Sequence, residues 1–148
     1  MKKILLIILI LFMTGCGSVK TATNVNNFEN VALSKGFSTY KGSSSYDNIS
    51  YITEYSTVSF GDTVIEMIVY DNSKNADKVQ ASHIESFNLL KNTGAQVIKE
   101  KGKNYYHYSL ISNGRYMLST RVDNTLIFCK VMLEHKDLVD SIIDELGY

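Results

Sequence analysis

The sequence has few of the features that are typical of catalytic or nucleic-acid-binding proteins. Proline and tryptophan are absent, and the 148 residues include two cysteines and three histidines. Fifteen basic side chains balance fifteen acidic ones, for a formal net charge of zero. A protein that binds nucleic acid usually carries a concentrated basic surface that releases counterions from phosphates. The charge balance therefore argues against a nucleic-acid partner.

Sequence motifs for catalysis and for metal binding are also missing. The chain contains no Gly-x-Ser-x-Gly nucleophile elbow, no glycine-rich phosphate-binding loop and no dinucleotide fingerprint. Zinc sites usually show pairs of ligands close together in the sequence, whereas His83, His107 and His135 are scattered. We therefore predict a protein that is not an enzyme and that uses neither a cofactor nor a metal.

One long apolar run is present, at the N-terminus, and it is too short to span a bilayer as a helix. Met1, Lys2 and Lys3 precede ten apolar residues at positions 4–13, whereas a membrane-spanning helix needs about 20. A positive start, a short apolar run and then small residues form the layout of a secretory signal. The sequence predicts a signal peptide over residues 1–15.

The end of this run resembles the bacterial lipobox. Met13, Thr14, Gly15 and Cys16 match its pattern, with Met13 where leucine is most common. The resemblance implies cleavage between Gly15 and Cys16 by signal peptidase II and a diacylglyceryl thioether on Cys16. The protein would then be a palmitate-bearing lipoprotein on the extracytoplasmic face of the cell membrane. The alternative is an ordinary cleaved signal that happens to contain a cysteine.

Cleavage at this point would leave 133 residues, with 13 basic and 15 acidic side chains and a net charge of about −2. Residues 16–27 would comprise the lipidated cysteine and a flexible tether, because the sequence after Cys16 is small, polar and without an apolar period. Residues 28–148 would then form a single domain.

The second cysteine, Cys129, is predicted to be a buried core residue. It lies in the apolar stretch TLIFCKVML, and free cysteine is among the most buried residue types. A Cys16–Cys129 disulfide is the alternative in oxidising surroundings. Lipidation of Cys16 would prevent that disulfide, since one sulfur cannot form both bonds.

Hydrophobic periodicity and turn signals predict an α+β domain. The predicted elements are a helix at about 27–35, strands at about 49–59 and 64–70, a long helix that is capped within 71–73 and closed by Gly94, the four strands AQVIKEK, NYYHYSLIS, RYMLSTRVD and TLIFCKVML, and a helix at about 135–146. Asn26 and Glu29 have the spacing of a capping box for the first helix. The expected architecture is a hairpin, a long helix, a four-strand meander and a C-terminal helix, with the helices packed on one face of a mainly antiparallel sheet.

This layout, with RVDNTLIF late in the sheet and a terminal LGY, is similar to that of small uncharacterised lipoproteins of low-GC Gram-positive bacteria. The similarity implies a location in the cell envelope of such a bacterium. It implies no particular activity.

Tyrosines concentrated in the meander suggest a binding surface. Strand alternation places Tyr105 and His107 on one face of their strand, and Tyr116 follows the next turn. Tyrosine is favoured where one side of a residue is apolar and the other is wet, so these three residues are candidates for an exposed binding platform. The alternative is ordinary cross-strand packing of aromatic side chains.

Three functions remain open. The first is a non-catalytic envelope module that binds another protein through a sheet face or an edge strand. The second is a small-ligand-binding lipoprotein with a pocket between helix and sheet. The third is an envelope enzyme whose site is assembled from dispersed residues.

Overall fold

The computed structural model describes residues 17–40 and 46–148. The predicted signal peptide and the predicted lipidation site, including Gly15 and Cys16, lie outside the described residues. The elements are α1 (Val25–Ser34), β1 (Ser38–Thr39), β2 (Ile52–Phe60), β3 (Thr63–Tyr70), α2 (Ser73–Asn88), β4 (Gln96–Lys101), β5 (Tyr105–Ser112), β6 (Arg115–Val122), β7 (Thr125–Met132), a 3₁₀ turn (Leu133–His135) and α3 (Lys136–Glu145). Within the described ranges, no helix is both long and apolar enough to cross a membrane.

The described strands form one antiparallel sheet in the order β1-β2-β3-β7-β6-β5-β4, which confirms the predicted α+β class. The hairpin and the meander join where β3 pairs with β7. The β5–β6 turn is tight because Asn113 and Gly114 both take positive φ angles, 53° and 70°. That conformation is the one a two-residue hairpin requires, and asparagine and glycine adopt it most readily.

The helices pack on both faces of the sheet, so the prediction that they lie on one face is corrected here. Alternate side chains of β6 show the division. Tyr116 and Leu118 belong to the core formed with α1 and α3, whereas Met117 packs with Phe87 of α2 on the other face. The reason is that β3 and the meander strands carry apolar side chains on both faces, and each face must be covered.

The N-terminal cap of α1 differs from the predicted capping box, while that of α2 agrees with the prediction. Asn24 caps α1, its Oδ1 accepting from the Asn27 amide at 2.8 Å. Glu29 instead accepts a hydrogen bond from the Ser56 hydroxyl at 2.7 Å, which ties α1 to the sheet. Asn72, within the predicted 71–73, caps α2.

The segment that precedes α1 is bound to the end of the sheet. The Ser18 carbonyl accepts from the Lys103 amide at 3.1 Å. The Asn104 side chain accepts from the Lys20 amide at 3.0 Å and donates to the Lys20 carbonyl at 2.8 Å. The prediction of a flexible tether over 16–27 is therefore wrong for residues 17–27, the part of that range that the structure describes. Composition identifies polar side chains, but it does not show where backbone groups find hydrogen bonds.

Candidate functional site between the C-terminal helix and the sheet

A cleft of about 200 Å³ lies between α3 and the sheet strands β4 to β6. Its polar lining includes His107 and Ser109 from β5, Tyr116 from β6, and Lys136 and Asp140 from α3. The strands supply these groups because alternate residues of β5 and β6 point to the α3 face. Two of the three predicted site residues, His107 and Tyr116, thus meet in one place.

Tyr116, Asp140 and Lys136 form a connected polar group in the cleft. The Tyr116 hydroxyl donates to Asp140 Oδ1 at 2.7 Å, and the Lys136 ammonium donates to Asp140 Oδ2. The ammonium also lies 5.5 Å from the centre of the Tyr116 ring. Burial, and then the hydrogen bond to Asp140, raise the pKa of Tyr116, so the phenol stays protonated and acts as a donor.

His107 stands apart from this group. Burial lowers its pKa, with the positive charge of Lys20 as the second cause, so the imidazole is neutral near pH 7. Across the strand pair it lies opposite Glu100. Among the described residues no hydrogen bond joins the His107 ring to Tyr116 or Asp140. The cleft therefore lacks the contact between nucleophile and base on which covalent catalysis depends.

The predicted exposed platform of Tyr105, His107 and Tyr116 is corrected by the structure. Tyr105 and Tyr116 keep 3% and 2% of their surface exposed. The Tyr105 hydroxyl is hydrogen-bonded to Ser18 Oγ at 2.7 Å and to Glu100 Oε1 at 2.6 Å. Two elements distant in sequence from the tyrosines, the N-terminal segment and α3, cover them.

We expect Tyr116→Phe to lower the free energy of unfolding by about 1.5 kcal/mol, because it removes a hydrogen bond to a charged acceptor. Urea unfolding at pH 7 measures this. The matched control is Tyr106→Phe on the other face of the neighbouring strand β5, where the side chain is half-buried and no hydrogen bond of its hydroxyl is found among the described residues. Equal losses for the two variants would contradict a special role for the Tyr116–Asp140 contact.

A second concavity, of about 790 Å³, lies on the opposite face between α2 and β5. Ala81, Ile84, Leu89 and Tyr106 give it apolar walls. Its volume falls within the range of pockets that hold small molecules, about 300–1,000 Å³. This α2 groove is open, so it differs from the closed cavity that would bury most of a ligand.

Gln80, at the base of the α2 groove, is a functional candidate that sequence reasoning missed. The side chain is 1% exposed, and its amide donates to the carbonyls of Tyr106 at 2.7 Å and Ser119 at 3.0 Å. Its Oε1 has no partner among the described residues. The sequence does contain a signal for this residue. Gln80 lies four residues after Ala76 and seven before Phe87, a spacing that puts a polar side chain on the apolar stripe of the helix.

His83, on the same helix, predicts a loss of stability in mild acid. Burial lowers its pKa to about 4, below the ordinary value of 6.5. The unfolded chain therefore binds the proton first as pH falls. The contribution of neutral His83 to the free energy of unfolding is complete above pH 6.5 and is lost toward pH 4. Between pH 7 and pH 5 we expect the free energy of unfolding to fall by about 2 kcal/mol from this group. Urea unfolding at both pH values, with His83→Gln as the control, measures it; an equal fall in the variant would contradict the assignment.

Cys129 is buried, as predicted, and forms no disulfide with a described residue. Burial raises the pKa of its thiol to about 12. Because the thiolate is the nucleophile, this argues against cysteine chemistry at the site. Across the parts of the chain that the structure describes, no three His, Cys, Asp or Glu side chains gather closely enough to hold a metal ion.

Comparison with known proteins adds no relative. No family model, no curated protein and no solved structure matches the chain. Function must therefore be argued from the residues of this chain.

Proposed function

We propose that the protein is a lipoprotein, anchored through diacylglyceryl-modified Cys16 to the extracytoplasmic face of the cell membrane. The observation that carries the proposal is the succession of Lys2 and Lys3, ten apolar residues and Met13-Thr14-Gly15-Cys16. Two acyl chains are enough for stable attachment.

Intact mass spectrometry of the protein recovered from the membranes of a bacterial host tests the anchor. The expected mature chain begins at Cys16 and carries the mass of a diacylglyceryl group, with or without an added N-terminal acyl group. A mature chain with an unmodified Cys16, or with a Cys16–Cys129 disulfide, would overturn the proposal.

For the folded domain we propose a non-catalytic role, the binding of another envelope protein along β4. This strand is one of the two edges of the described sheet, and all six of its residues are exposed. Val97 and Ile98 add exposed apolar surface, with 37% and 54% of their area accessible. An edge strand with unpaired backbone groups can accept a strand from a partner, with apolar side chains giving specificity. Three polar groups of the cleft, those of Tyr116, Lys136 and Asp140, bond to one another, which supports a non-catalytic role.

Site-specific photocrosslinking in the native membrane tests this role. A photoreactive residue at Ile98 is expected to give one discrete crosslinked partner, and the same residue at exposed Lys74 on α2 is the matched control. Discrete crosslinks from Lys74 but not from Ile98, or none from either position, would contradict binding along β4.

The α2 groove supports a second candidate, the binding of a small molecule with an apolar body. Native mass spectrometry of the mildly extracted protein would then detect a bound small molecule. Ala81→Trp should remove it, because Ala81 is an exposed wall residue and the indole would fill the groove. A chain with no bound mass, or a bound mass unaffected by Ala81→Trp, would contradict this candidate.

A further inference from the structure

The bound N-terminal segment makes the attachment of the domain to its anchor short. Ser18 and Lys20 are already hydrogen-bonded to the β4–β5 turn, at Lys103 and Asn104. One residue, Gly17, separates Ser18 from Cys16, and consecutive Cα atoms are about 3.8 Å apart. A free flexible tether of twelve residues would instead give a root-mean-square reach of about 20 Å. The lipid attachment point is therefore close to the β4–β5 turn.

We infer that the β4–β5 end of the sheet is the membrane-facing surface of the anchored domain, and that it rests against the phospholipid headgroups. This inference rests on the proposed lipid anchor at Cys16, and it adds the orientation of the domain and the surface that contacts the bilayer. The occupant of this surface is the bilayer that holds the acyl chains, since the chain outside the described residues ends there.

The side chains at this end suit a headgroup surface. Lys101 and Lys103 are exposed beside the turn, and Lys20 is partly exposed with its ammonium 4.6 Å from the centre of the Tyr105 ring. Lysine ammonium groups close to an anionic membrane surface are attracted to its phosphates. Two carboxylates lie nearby, Glu100 hydrogen-bonded to the Tyr105 hydroxyl and Asp123 to the Asn104 amide, and both keep their negative charge. Three ammonium groups thus outnumber two carboxylates at this end, and the excess positive charge suits lipid phosphates.

The opposite end of the sheet supplies a reference point. At the β4–β5 end, the Asp123 amide donates to the Asn104 carbonyl, and the Tyr70 amide donates to the Asn124 carbonyl. The β4–β5 turn, the β6–β7 turn and the C-terminal end of β3 therefore lie together there. Asp62, in the turn before β3, is therefore at the far end. The eight-residue strand β3 spans the sheet between the two ends, about 27 Å at 3.4 Å per residue.

Fluorescence quenching on vesicles tests the orientation. The full chain is expressed in a bacterial host, and the lipidated product carries a single label at Lys103→Cys or, as the matched control, at Asp62→Cys. Native Cys16 is blocked by lipid in that product, and Cys129 is buried, so labelling is specific to the introduced cysteine. The products are reconstituted into phosphatidylethanolamine–phosphatidylglycerol vesicles that contain a headgroup-linked quencher.

We expect the label at Lys103→Cys to lose most of its fluorescence and the label at Asp62→Cys to keep most of it. A third chain, Gly102→Ala with Lys103→Cys, should be quenched less, because the added β-carbon would overlap the Ser18 carbonyl oxygen and the Tyr105 ring, and release of residues 17–24 restores a reach of about 15 Å. Equal quenching at both ends, or no effect of Gly102→Ala, would overturn the inference while leaving the anchor intact. Failure of the labelled chains to float with the vesicles would overturn the lipid anchor itself.

Discussion

Replacing Cys16 with alanine is expected to abolish incorporation of a fatty-acid label into the protein. The thioether forms at the Cys16 sulfur in the proposed modification, and alanine offers no atom to receive the diacylglyceryl group. Signal peptidase II acts on the lipidated precursor, so the variant should also keep its first fifteen residues. Metabolic labelling with an alkyne fatty acid, followed by gel analysis, reads both effects as loss of label and a larger apparent mass.

Cys129→Ala is the matched control for this experiment. Its thiol is 1% exposed in the core, so the substitution should leave the label and the mature length unchanged. A lipidated wild type therefore contrasts with Cys16→Ala and agrees with Cys129→Ala. Label that persists in Cys16→Ala, or a wild type with no label, would contradict the lipoprotein assignment.

Much of the fold is predictable because local chemistry determines the elements. Two-residue alternation indicates the strands, Asn113-Gly114 marks a turn that needs two positive φ angles, and the spacing of Val139, Ile142 and Ile143 gives α3 its buried face. Long-range arrangement is less accessible to this reasoning. The pairing of β3 with β7 joins residues some 60 positions apart. The position of α2 on the opposite face depends on contacts such as that of Gln80 with Ser119, 39 positions apart. Periodicity encodes neither.

The candidate site shows the same division between local and long-range information. Strand alternation correctly places Tyr105 and His107 on one face of β5, but it does not reveal that the N-terminal segment and α3 cover that face. A polar sequence such as that around Ser18 and Lys20 predicts flexibility when side chains alone are considered. The structure instead shows these residues bound through backbone hydrogen bonds, whose partners lie more than 80 positions away.

Gly102→Ala is expected to detach the N-terminal segment from the sheet and to lower the free energy of unfolding by about 3 kcal/mol, the upper end of ordinary overpacking costs. A β-carbon at this position would lie 2.0 Å from Cε1 of Tyr105 and 2.4 Å from the Ser18 carbonyl oxygen. The Tyr105 ring is buried and cannot turn aside freely, and the Ser18 oxygen belongs to the backbone. Both overlaps are therefore relieved most readily if the segment leaves, because its departure removes the Ser18 oxygen and releases the Tyr105 hydroxyl that Ser18 holds, which gives the ring room to move.

Two measurements follow detachment of the segment. Urea unfolding gives the loss of stability, and limited trypsin digestion gives the rate of cleavage after Lys20, which should rise when the hydrogen bonds of Lys20 to Asn104 are broken. Gly17→Ala is the matched control, since its β-carbon would meet the Lys103 amide nitrogen at 3.4 Å, an ordinary contact. That variant should stay within about 0.5 kcal/mol of the wild type and resist trypsin equally. If Gly102→Ala behaves like Gly17→Ala, the close packing of the segment against the β4–β5 turn is refuted, and with it the short attachment that sets the orientation on the membrane.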